Sequence, residues 1–265
     1  MSKSNYRNSF FSFIIYFFMM VFLIFILLVI STVLYKGIPN LFELILEEEI
    51  LFSIKLSFFT STVSTLICLL FSIPISYGLA RYNFPFKNFI NSILQVPISL
   101  PPLASGLALL LTFSIGYISN FLDKINLNPI FTIKGIILAH FFLNVPYMIR
   151  ILRASIEDIN PRLEFVSRTL GYSNFKTFFK VTIPLAKRSL FASIVITWSK
   201  AIGEFGTVLM LAGTTRFKTE TLPASIFLNV SSGDVDKALT SSVILIIISF
   251  ISLFIFGTFE KTKYY

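Results

Sequence analysis

Apolar residues in this chain come in long unbroken runs separated by short polar stretches. Six runs stand out, at about 10–35, 52–80, 89–117, 131–152, 186–212 and 237–259. About 20 apolar residues in a helix cross the hydrocarbon core of a bilayer. Each run is long enough, and the pattern predicts an all-α membrane protein with about six transmembrane helices in one domain covering 1–265. The first run follows Lys3 and Arg7 and extends from Phe10 to Leu34. It is too long for the core of a signal peptide and has no small-residue cleavage site, so it reads as a retained span. The third run carries Pro97, Pro101 and Pro102. Proline removes a backbone donor, so this run is expected to kink or break. Broken helix at membrane depth needs protein or a water-filled cavity beside it. The third run therefore faces the bundle interior, either as a packing helix or as the wall of a pathway.

The connections carry the charge. One set holds Lys3, Arg7, Arg81, Lys87, the cluster from Arg150 to Arg188, Lys261 and Lys263, which amounts to 14 basic residues against 4 acidic ones. The other set holds 7 basic residues against 8 acidic ones and includes the run Glu47-Glu48-Glu49. Positive residues stay on the cytoplasmic side of a membrane. The first set is thus expected to be cytoplasmic, with both termini, in a multi-pass protein of the cell membrane.

Composition removes the soluble alternative. The mean hydropathy is +0.83. Of 265 residues, 55% are hydrophobic, 13% are charged and 32 are Phe. A soluble fold of this size has no interior large enough for that apolar surface. The net charge of +9 would suggest nucleic acid on a soluble protein, but here it follows membrane topology, and no nucleic-acid partner is expected. Cys68 is the single cysteine and lies within an apolar run, so no internal disulfide is possible.

The longest connection on the basic side, 153–187, carries helix signals. Asn160 suits an N-cap, Pro161 the first helical position and Gly171 the C′ site, framing a helix from Pro161 to Leu170. Leu163, Val166 and Leu170 share one face of it. A second short helix starts at the cap Ser173 and runs through Phe175, Phe178 and Phe179 toward Pro184, where the fifth span begins. Such an element either rests on lipid headgroups or docks a cytoplasmic partner.

Here the sequence resembles a known family. Phe165-Val166-Ser167-Arg168-Thr169-Leu170-Gly171, nine residues, then Val181-Thr182-Ile183-Pro184 has the frame of the EAA loop of ABC importer permeases. That pattern reads E-A-A, three residues, G, nine residues, I-x-L-P. Gly171 and Pro184 match it, Val181 and Ile183 match conservatively, and Ser167 stands for the second Ala. Phe165 and Val166 depart from the Glu and the first Ala, and Glu164 lies one place upstream. Trp198-Ser199-Lys200-Ala201-Ile202-Gly203-Glu204-Phe205-Gly206-Thr207, continuing to Gly213, resembles the span-five signature of oxyanion permeases, closest to the molybdate/tungstate branch and next to the sulfate/thiosulfate branch. Lys218-Thr219-Glu220-Thr221-Leu222-Pro223 and Pro97-Ile98-Ser99-Leu100-Pro101-Pro102 are similar to the same group. The resemblance runs from about Ser53 to Phe256, and the first span matches only in character.

The resemblance implies a type I ABC importer permease fold with a cytoplasmic coupling helix. It implies a separate ATPase that binds ATP-Mg, an extracytoplasmic solute-binding protein and a second permease copy. The chain has no phosphate-binding G-x-x-x-x-G-K-[ST] loop, no metal-ligand cluster and no catalytic constellation, so neither a resident cofactor nor an enzymatic activity is expected in it. Some relatives add a regulatory C-terminal domain, and none is expected here beyond Tyr265.

Span five holds two charges deep in the membrane, Lys200 and Glu204. Intramembrane charge is costly and is either functional or paired. Their i, i+4 spacing allows a mutual pair, and a role along an anion route stays open beside it. Gly203 and Gly206 would permit close helix approach. Ser105 and Thr207, beside the breaks near Pro101 and Pro102, are candidate donors to a tetrahedral anion. His140, near Asn144 and Pro146, reads as a histidine hydrogen-bonded to a neighbouring helix. The functional alternatives are a sulfate/thiosulfate permease, a stand-alone secondary transporter with inverted repeats, and a membrane scaffold.

Overall fold

A computed structural model describes residues 3–260 of the chain, with side chains from Phe10 to Ile255. Lys261 and Lys263, and the side chains of Lys3 and Arg7, lie outside the described residues. The described residues are helical and contain no strand. In order they form α1 (Lys3–Leu44), α2 (Glu48–Arg81), α3 (Lys87–Ser99), α4 (Pro102–Phe113), α5 (Gly116–Lys124) and α6 (Ile133–Asp158). Then come α7 (Pro161–Thr169), α8 (Asn174–Thr177), a π-helical turn (Phe178–Thr182) and α9 (Ile183–Ile202). The chain finishes with α10 (Gly206–Ala212), α11 (Leu222–Ser232) and α12 (Val235–Glu260).

Four helices are long and apolar enough to cross a membrane, and two further pairs raise the number to six if each bent pair counts as one span. The third run is one such pair. The chain turns by 112° between α3 and α4. Leu100 precedes Pro101 and is pushed out of the helical region, to φ −79° and ψ 138°. Pro101 stays extended at ψ 138°, and Pro102 opens α4 where its missing N–H costs nothing. The fifth run is also corrected. It breaks at Gly203–Phe205 with a bend of 61° between α9 and α10, where one continuous span over 186–212 is expected from hydropathy. The short helices α5 and α11 are not apparent in the runs. The first and fourth spans extend beyond their expected ends, to Leu44 and Asp158.

The core is built on α2, α6 and α9. Along α2, the serines, threonines and cysteine from Ser53 to Ser76, Thr62 excepted, turn inward and are buried. Three of these donors meet backbone carbonyls of α6 in register: Cys68 at Phe141 (3.9 Å), Ser72 at Val145 (3.5 Å) and Ser76 at Ile149 (3.1 Å). The constant offset makes the two helices parallel and close, as small residues allow in membranes. One apolar cluster gathers Leu56, Leu109, Ile136, Val208 and Leu211, and another gathers Cys68, Met148 and Leu152. In sequence, Ser61, Thr65, His140, Asn144 and Thr197 fall between these two clusters, all buried. His140 faces a neighbouring helix, as expected. The Thr60 carbonyl on α2 faces the ring, yet neither ring nitrogen reaches a partner at bonding geometry.

No residue in the 10–29 stretch of α1 is buried. From Phe10 to Val29 its side chains are exposed on all faces. Beyond this stretch the helix packs, where Gly37 lies against Leu239 and Val243 of α12 so closely that a Cβ would meet Val243 at 2.6 Å.

Candidate functional site

The basic end of the bundle carries α7. Asn160 caps it by accepting the Arg162 N–H, Pro161 occupies its first turn, and Gly171 leaves it at φ +91°, a conformation that suits glycine. The expected helix over 161–170 therefore forms, to within one residue. The expected second helix starts at its cap Ser173, which accepts the Lys176 N–H. It then continues without interruption through the π turn into α9, with Pro184 in the first turn of that helix.

The two faces of α7 are chemically distinct. Inward, Glu164 is 4% exposed. Arg81, the last residue of α2, donates from Nε to both Glu164 oxygens at 3.1 Å each, and from a terminal nitrogen to the Ile159 carbonyl at 2.8 Å. Thr182 in the π turn donates its hydroxyl to Glu164 Oε1 at 2.8 Å. Ser167 and Thr177 share a hydrogen bond of 3.1 Å, also buried. Glu164 and Ser167 thus bolt α7 to the end of α2 and to the foot of α9. A carboxylate this buried is stable only when its charge is met, and here one guanidinium and one hydroxyl meet it.

Outward, the same helix is apolar and bare. Leu163, Phe165, Val166 and Leu170 are exposed. With Tyr172, Lys180, Val181, Pro184 and Leu185, three of them, Leu163, Val166 and Leu170, frame a groove of about 670 Å³, which Ser167 also borders. Ile183 lies on the opposite side, in a second, aromatic-rich groove with Tyr77, Phe175 and Phe178. Exposed apolar surface of this kind on a loop marks an interaction site.

The candidate pathway residues divide. Lys200 and Glu204 do not pair, which corrects the expected i, i+4 contact. Helix α9 ends at Ile202, so the two residues no longer share a helical face. The Lys200 ammonium lies 3.9 Å from the centroid of the Tyr147 ring on α6, a cation–π contact. Glu204 Oε1 instead accepts the Thr207 N–H at 3.0 Å and caps α10. Thr207, expected as a donor to an anion, gives its hydroxyl proton to the Pro102 carbonyl at 2.9 Å in this conformation. Ser105 is wholly buried, and its hydroxyl has no partner.

Glu204, Thr207 and Pro102 meet at one joint, where the two broken spans touch at their breaks, and Ser105 stands in the first turn of α4 after it. A Cβ on Gly206 would come within 2.8 Å of Pro102 Cβ, and one on Gly106 within 2.7 Å of the Thr207 carbonyl. Gly203 has no such close neighbour, so close approach rests on Gly206 and Gly106.

Sequence reasoning missed Arg81, Thr177 and Thr182. Arg81 reads there only as a cytoplasmic charge, and the two threonines as loop residues. The i, i+3 relation of Glu164 and Ser167 offers a signal, because it places the two polar residues on one side of α7, beside the stripe of Leu163, Val166 and Leu170.

Residues 72–261 match the family described as the binding-protein-dependent transport system inner membrane component. The chain is 31% identical over 216 residues to the molybdate/tungstate transport system permease protein WtpB of Methanocaldococcus jannaschii, covering 82% of this chain and 84% of that one. It is 26% identical over 220 residues to the sulfate transport system permease protein CysT of Escherichia coli, covering 83% and 79%. Among solved structures it is similar to a bacterial ABC transporter involved in the import of the acidic polysaccharide alginate, with a TM-score of 0.73, 16% identity, and coverage of 98% of this chain and 100% of that one. At that identity the likeness concerns the fold, which is that of type I ABC importer permeases.

Proposed function

The chain belongs to the family of inner membrane components of binding-protein-dependent transport systems, and from that premise we propose that it is the permease subunit of an ATP-driven importer of molybdate or tungstate. The observation that carries the machine is α7: a short helix bolted inward through Glu164 and bare outward along Leu163, Val166 and Leu170. A separate ATPase docks in the groove beside that face and binds ATP-Mg, while this chain holds no cofactor. Movement of α7 passes through Thr182 into α9, because the π turn and α9 are continuous. A solute-binding protein delivers the anion at the opposite end, and a second permease copy completes the pathway. Both termini face the cytoplasm, on the side of the basic loop.

The anion passes the joint of the two broken spans, where the Ser105 hydroxyl lacks an internal partner. Neutral donors hold a dianion weakly enough to release it. Glu204 and Thr207 set the geometry of the joint, and Lys200 is held over the Tyr147 ring. The cargo reading rests on the likeness to the molybdate/tungstate permease at 31% identity. The sulfate permease at 26% keeps sulfate or thiosulfate as the second reading.

The test is reconstitution of the chain with its ATPase and binding protein in liposomes, with uptake of molybdate, tungstate and sulfate compared. The proposal expects ATP-dependent molybdate or tungstate uptake that sulfate barely inhibits. Gly171→Pro abolishes it, since proline cannot adopt the φ of +91° found there. Uptake of sulfate alone changes the cargo, and uptake without the ATPase overturns the machine.

A further inference from the structure

At the end of the bundle opposite α7, three segments meet through charge. Glu47 and Glu49 stand at the start of α2, Arg216 and Glu220 in the loop before α11, and Asp234 and Lys237 at the start of α12. Arg216 pairs with Glu49 Oε2, and its other terminal nitrogen donates to Asn229 Oδ1 of α11 at 3.1 Å. Lys237 pairs with Glu47 and lies 3.9 Å from both Glu49 and Asp234. Next to this cluster the Leu222 N–H donates to Ser57 Oγ of α2 at 2.7 Å, so the first turn of α11 hangs on α2.

Glu220 sits at the centre and has no exposed surface. Its Oε2 accepts the Phe217 N–H at 3.3 Å, while its Oε1 has no partner. Glu49 Oε1 is buried and equally without a partner. The two carboxyl groups lie against each other. If both were ionised, two desolvated anions would face each other, each with an oxygen lacking a donor. One proton removes both defects, because a protonated carboxyl donates to the oxygen opposite. Larger cations have no comparable site, since no group of three or more His, Cys, Asp or Glu residues suited to a metal exists among the described residues.

We propose that Glu49 and Glu220 bind one shared proton, which closes a joint between α2, the 213–221 loop and α12. Burial pushes the Glu220 carboxyl up to about 7, and the Glu49 carboxylate pushes the same way. The Phe217 N–H and Arg216 oppose them. The sign follows from this. The closed joint holds a proton that the opened joint releases at the ordinary carboxylate value of 4.5. Closure is therefore fully supported below that value and weakens as pH rises through about 7. Arg216 and Glu47 are partly exposed, so the aqueous phase reaches the cluster. On the proposed topology that phase is the external one. The device belongs to this chain whichever anion it carries.

Hydrogen exchange on the full chain in lipid nanodiscs tests the proposal. The reporters are the amides of Thr219, bonded to the Thr215 carbonyl, and Leu222, bonded to Ser57. Between about pH 5 and about pH 8, and after correction for intrinsic exchange, their protection falls roughly 50-fold or more in the natural protein. Glu220→Gln offers Glu49 an amide donor at every pH, and its protection stays high and flat. Infrared titration of the natural protein supplies a reading that needs no variant, as a buried protonated-carboxyl band disappears across neutral pH. Unchanged protection in the natural protein, a Glu220→Gln variant with the natural slope, or the absence of that band overturns the proposal.

Discussion

Arg81 and Glu164 are separated by 83 positions and meet in a nearly closed environment. Removing one partner of a buried pair costs about 3–5 kcal/mol, mostly because the other charge is left uncompensated. Glu164→Ala thus strands the Arg81 guanidinium, and Arg81→Ala strands the carboxylate. Either variant still inserts, since the pair lies at one end of the bundle, but α7 loses its seat. Co-purification with the ATPase and ATP-dependent uptake should both fall at least tenfold, and the double variant should recover part of the loss. Equal loss in the single and double variants would show that the pair does not act as a unit. The sequence presents Glu164 one place out of register with the family pattern. The inward face of α7 explains the position, because only there can the carboxylate reach Arg81 and Thr182 together. The partner itself is not legible, since no local spacing connects the end of α2 to a loop so far downstream.

Helices α4 and α10 owe their contact to an absent side chain. At Gly106 a Cβ would lie 2.7 Å from both the Thr207 carbonyl and Met210 Cβ. Backbone cannot retreat as a side-chain tip can, so Gly106→Ala pushes the two helices apart and lengthens the bond from Thr207 to Pro102. Uptake should fall at least tenfold while the ATPase still binds, because α7 is untouched. Retained uptake would remove this joint from the transport cycle. The prolines at 101 and 102 make the first break readable from sequence. The second break is harder to read, since Gly203-Glu204-Phe205-Gly206 lies inside an apolar run and helices tolerate single glycines. Helix α11 carries readable punctuation in Pro223 near its start and Gly233 at its end, in the left-handed region at φ +82°. Hydropathy hides it because the segment is too short to span.

For the whole molecule, α9 joins the seat of Glu164 at the basic end to the joint of the broken spans. It begins where Thr182 holds Glu164 and ends one residue before the second break. A proline in its middle removes a hydrogen bond and costs about 3 kcal/mol. In Val195→Pro, ATP hydrolysis by the assembled transporter should persist while uptake is lost. Loss of assembly would mean that α9 supports the fold more than it transmits movement. The apolar runs behind the four to six candidate spans are legible from composition and patterning alone, because the bilayer sets the length of a span. The joints between spans depend on which carbonyl meets which hydroxyl, and that information is distributed across the chain.

The exposed 10–29 stretch of α1 has a consequence for biogenesis. The most apolar window of this helix has a mean hydropathy of 3.3, and none of it is buried within the described residues. The ribosome can leave it in the bilayer while the rest of the chain is still unmade. Every later span then emerges beside a tethered nascent chain, and α12, the helix it finally grips, follows all the other described helices.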